Sequence, residues 1–175
     1  MSHFKSKFGN GDNKGVSLLE LLVYVAILSG LIVIVSDAFI MLSKGRGQSE
    51  ARSEVNSAVR FSAELMKQDI KNASSVVTPL LGVPSNSLVL TVAGSTVLYD
   101  VVGGILRRTT GVGAPEAVTG VTILVDMPVF TRLENYNQTL NATSTAVQVV
   151  MTMRYSTSSS DWAYSDSIRT TVSLR

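Results

Sequence analysis

The chain has no cysteine, one histidine, four prolines and one tryptophan in 175 residues, and only 16% of it is charged. Without cysteine there is no disulfide, no lipoprotein anchor and no thiolate metal site. The histidine is His3. The rest of the chain therefore has no Ser-His-Asp triad and no histidine metal cluster, and the expectation is no catalytic residue, no metal and no cofactor. Gly103-Gly104 lacks the context of a phosphate loop and reads as a turn. No proline occurs before Pro79, so the first 78 residues carry no strong helix breaker.

Charge is unevenly placed. Lys5, Lys7 and Lys14 against Asp12 account for the whole formal charge of +2, so everything after Gly15 is neutral overall. The basic balance therefore gives no argument for direct nucleic-acid binding. Hydrophobic residues make up 45% of the chain, and they are concentrated behind this polar leader. From Leu21 to Leu42 there are 22 residues, enough for a helix of about 33 Å against about 30 Å of hydrocarbon. An ordinary secretory signal has a shorter core, about 7–15 residues, followed by small residues at its cut, for which Ser36-Asp37-Ala38-Phe39-Ile40 is a poor match. Lysines before the run and mixed charges after it (Lys44, Arg46, Glu50, Arg52) predict a leader in the cytoplasm and the bulk of the chain outside.

Glu20 is the anomaly in the apolar run. A charge in hydrocarbon costs roughly 2.5–3.5 kcal/mol at the centre of a span and less near the interface, so it calls for a partner. The stretch Lys14-Gly15-Val16-Ser17-Leu18-Leu19-Glu20-Leu21-Leu22 resembles the prepilin cleavage and methylation signature of type IV pilins and type II secretion pseudopilins. That resemblance implies a peptidase cut between Gly15 and Val16, by an enzyme that also methylates the new amine of Val16. It implies further that Glu20 pairs with the N-terminal amine of a neighbouring subunit during assembly. Within one chain, Glu20 lies about 6 Å along the helix axis from the Val16 amine. Val16 stands where the family usually has Phe, and Asp37 occupies an apolar half that in many pilins carries a proline.

Beyond the run, Gly45 and Gly47 interrupt the pattern. Val55, Ala58, Val59, Ser62, Leu65, Met66, Ile70 and Ala73 then recur at three and four residues, an amphipathic helix. After Pro79 the period becomes that of strands: Ser87 to Val92, Thr96 to Val102, Ile105 to Thr109, Val118 to Met127, Val129 to Leu133, Ala146 to Thr157 and Ile168 to Leu174. Residues 135–144 and 156–167 read as polar loops. Val147, Val149, Met151 and Met153 alternate with more polar residues, as in an antiparallel sheet with a helix on one face. Arg107 and Arg108 read as solvated edge charges, Asp37 as solvated or a partner for Lys44, and the surroundings of Asp161, Trp162 and Asp166 as a poor match to a calcium loop.

The expected class is α+β. The expected organisation is a leader over 1–15, a transmembrane helix over 16–43 and a head over 44–175, with an amphipathic helix over about 48–73 and a β-sheet over about 75–175. The resemblance implies the pilin fold for this layout. A second likeness, carried by Tyr99 to Arg108, by Leu65 to Ile70 and by the closing Thr171 to Arg175, is to J-type minor pseudopilins and related minor pilins. Together these imply a minor filament subunit in the bacterial cytoplasmic membrane. Its partners would be other pilin or pseudopilin subunits, a prepilin peptidase and methyltransferase, an inner-membrane assembly platform and the lipid bilayer. The competing class is a signal-anchored binding module or enzyme that joins no filament.

Overall fold

The computed structural model describes residues 17–139 and 141–175. The leader, with Gly15 and Val16, lies outside the described residues. The chain divides into two compact units at the boundary between Ser43 and Lys44, and helix α1, Leu18–Asn72, contributes to both.

In the first unit α1 is apolar on every side, and all its residues from Leu18 to Ser43 are exposed. Leu21 donates the first helical hydrogen bond to the Ser17 carbonyl, 3.0 Å. Ser29 directs its hydroxyl to the Val25 carbonyl one turn back, 2.7 Å, so this polar group is satisfied within the helix itself. The segment is long and apolar enough to cross a membrane.

The second unit is an α+β head. Here α1 buries Ala51, Val55, Val59, Ser62, Ala63, Met66, Asp69 and Ile70, the three-and-four spacing of a single stripe. Gly45 and Gly47 interrupt the apolar pattern but not the helix, which runs through both. Among the described residues nine strands follow: β1 (Ala73–Thr78), β2 (Leu88–Val92), β3 (Ser95–Val102), β4 (Ile105–Thr110), β5 (Glu116–Ala117), β6 (Ile123–Val125), β7 (Val129–Asn137), β8 (Ala142–Tyr155) and β9 (Ser165–Ser173).

Where one sheet was expected, the strands form two, all pairs antiparallel. β1 to β5 form a meander in chain order. In the other sheet β8 pairs with β7 over Ala142–Val150 and with β9 over Ala146–Arg154. Since Ala146–Val150 pairs with both, β7 and β9 must flank β8 on opposite edges. β6 extends the β7 side by pairing with the far end of β8. The two sheets meet where Val125 donates to the Gly104 carbonyl, 2.7 Å. One core joins Met66 and Ile70 of the helix to Leu88, Leu90, Tyr99, Leu106, Phe130, Met151 and Met153 of the strands. Burying each large apolar side chain stabilises the head by about 1.5–3 kcal/mol.

Several strand bounds differ from expectation. β1 follows the helix with no intervening turn, and its buried Ala73 and Val76 stand three apart where the register with β2 shifts between Ala73 and Ser75. Val118 to Met127 is not one strand; β6 takes only three residues, because the Thr119 hydroxyl caps the Leu106 N–H and Ile123 turns back to the Gly120 carbonyl. The expected loop over 135–144 is largely ladder, with Asn135 opposite Ser144, Tyr136 opposite Thr143 and Asn137 opposite Ala142. This distal stretch has only two strands, and its residues are exposed.

Candidate functional site

Glu20 occupies the first turn of α1. There the unpaired N–H groups make the local field positive, which favours a carboxylate. Its surroundings are otherwise hydrocarbon: Leu18, Leu19, Leu21, Leu22, Val23 and Tyr24 are all exposed, Leu18 by 81%. A helix apolar around its whole circumference needs lipid or other protein about it, because water cannot solvate such a surface cheaply. Glu20 is the single acidic residue between Ser17 and Ser36, and Asp37 is the next. Gly15 and Val16, the expected cleavage pair, lie outside the described residues.

The head has a second, buried ionic cluster that joins helix to sheet. Asp69 is 6% exposed, on the inward stripe of α1. Its Oδ2 accepts the Tyr99 hydroxyl at 2.5 Å and Arg108 Nε at 2.7 Å, while Oδ1 accepts a second guanidinium N–H from Arg108 at 3.2 Å. Burial, and then the bond to Asp69, push the Tyr99 phenol far above its ordinary range. The hydrogen bond to Asp69 also raises the Arg108 guanidinium above its already high value. The carboxylate accepts three hydrogen bonds from two strand residues, which suits it to holding α1 on β3 and β4.

Arg107 and Arg108 are therefore not solvated edge charges. β4 lies between β3 and β5, and alternate side chains on it face opposite ways. Arg108 points with Tyr99 towards Asp69, whereas Arg107 forms a two-bond pair with Asp100 on the other face, at 3.2 and 2.6 Å. The Asp100 bond raises Arg107 in the same sense. Both pairs are encoded by the turn: a two-residue Gly103-Gly104 loop places Tyr99 opposite Arg108 and Asp100 opposite Arg107. That register, together with the one acid on a mainly apolar stripe, is the sequence signal by which Asp69 and its partners could be found.

Lys44 and the acids around Trp162 have partners of their own. Lys44 bonds Asp161 at 3.1 Å, so it is not reserved for Asp37. Asp166 accepts the N–H of Ser167. Among the described residues no group of three or more His, Asp or Glu side chains could hold a metal ion. Comparison with family models, curated proteins and solved structures finds no match.

Proposed function

We propose that this chain is a minor structural subunit of a type IV pilus or type II secretion pseudopilus, with the pilin fold. In this reading the protein inserts once in the bacterial cytoplasmic membrane, leader inside and head outside. A prepilin peptidase cuts after Gly15 and methylates Val16, and an inner-membrane assembly platform then moves the subunit into a filament. Apolar helices of neighbouring subunits replace lipid around Leu18 to Leu42, and Glu20 neutralises the N-terminal amine of the next subunit.

One observation carries the reading: a lone carboxylate in the first turn of a helical stretch that carries no other charge as far as Ser36 and exposes its apolar side chains all round. Low dielectric makes an ion pair strong there and makes an unpaired charge costly. The Asp69 cluster adds support, since the head's most buried acid among the described residues serves to fasten the helix.

Mass spectrometry of the mature N-terminus tests the proposal. A chain beginning at Val16, with or without one methyl group, is the expected result. An intact Met1 or a cut beyond Asp37 would overturn it and favour a signal-anchored module outside any filament.

A further inference from the structure

Between β8 and β9 the chain forms a short 3-10 turn, Ser160–Trp162, and this segment lies across α1 between Lys44 and Asn56. Asp161 Oδ2 is 3.1 Å from Lys44 Nζ. The Trp162 indole covers Gly47 so closely that a Cβ there would stand 2.5 Å from its Cε2 and Nε1. The Arg52 guanidinium sits 5.5 Å from the centroid of the Tyr164 ring, and the Tyr164 hydroxyl donates to Asn56 Oδ1 at 3.4 Å. Four helix positions over about three and a half turns are thus touched by one strap.

The strap meets α1 where its intrinsic helix propensity is lowest. Gly45 and Gly47 are poor helix formers, because glycine has the most backbone freedom to lose. At position 47 only glycine admits the indole, and the indole in turn shields backbone that glycine leaves bare. Each tie is weak alone: the Lys44 and Asp161 side chains are 58% and 50% exposed, and Trp162 is 39% exposed. From Val55 onward, by contrast, the helix is held by the head's core.

We propose that residues 159–164 form a latch, with Trp162 seated on Gly47, that keeps Lys44–Gln48 helical and lets this stretch leave the helix when it opens. Gly47 and Trp162 are positioning residues in this device. The latch belongs to the head and does not depend on the filament reading.

Trp162 is the only tryptophan, so its emission reports the latch directly in the full chain in detergent micelles. In Gly47→Ala we expect red-shifted emission, stronger acrylamide quenching and about tenfold faster amide exchange over Lys44–Gln48. Helix propensity alone predicts the opposite sign, since alanine should slow that exchange. Trp162→Ala leaves the helix sequence intact and should accelerate the same amides while those of β2 to β4 keep their rates; it decides the matter if Gly47→Ala does not fold. Unchanged emission in Gly47→Ala, or unchanged or slower exchange over Lys44–Gln48 in either variant, would overturn the latch.

Discussion

Asp69 on α1 and Arg108 on β4, 39 positions apart, are joined by two hydrogen bonds of 2.7 and 3.2 Å in the head's interior. The carboxylate side chain is 9% exposed and the guanidinium 25%. Removing either partner strands the other. Arg108→Ala or Asp69→Ala should therefore destabilise the head by about 2 kcal/mol, below the 3–5 kcal/mol of a fully buried pair because Arg108 is partly wet. Denaturant unfolding of the single and double variants checks this. The double should cost clearly less than the sum of the singles, and simple additivity would deny the coupling.

Tyr99 gives the head an alkaline limit. Its folded phenol is held neutral by burial and by Asp69, whereas in the unfolded chain it ionises near its ordinary value of 10.0. The folded group thus keeps its proton to higher pH than the unfolded one. Its contribution is complete below about pH 10 and declines as pH rises beyond that. Thermal melts at about pH 9 and about pH 11 should show a steeper fall for the native chain than for Tyr99→Phe. Equal slopes would contradict the assignment.

Thr119 is 4% exposed, and its hydroxyl accepts the Leu106 N–H at 3.1 Å. Thr119→Val keeps the shape and adds apolar surface, yet it leaves a buried donor unmet. The variant should be less stable by about 1–3 kcal/mol. A neutral or stabilising result in chemical denaturation would mean that water or another acceptor replaces the hydroxyl.

Glu20→Ala tests the filament proposal at its central residue. Membrane insertion should persist, because the substitution only makes the span more apolar. Incorporation into sheared filaments should fall by about an order of magnitude or more, since a neighbour's amine loses its counter-charge. Cell fractionation followed by quantitation of filament-borne subunit separates the two effects, and normal incorporation would refute the pairing.

The sequence made the helix legible because its stripe from Val55 to Ile70 repeats without a proline, and the hairpin around Gly103-Gly104 because two glycines bound two alternating runs. β1 was hidden: Ala73-Ser74-Ser75 follows Asn72 with no turn residue to end one period before the next begins. The polar run near Asn135 looked like a loop by composition, yet backbone pairing set by the rest of the β7–β8 ladder carries it on as strand. Glu20 stood out against hydrocarbon from the primary structure alone. Asp69 did not, because its role depends on strand register and helix packing together.

Among the described residues, the outer end of the β7–β8 hairpin, with Asn135 to Asn137 opposite Ala142 to Ser144, pairs with no third strand, and its residues are exposed. It is consequently the natural place to graft an epitope tag or dye-labelling peptide. A graft there would bury no core residue and cut no rung of the neighbouring ladder. Antibody or fluorophore bound at that tip would allow individual purified molecules to be counted.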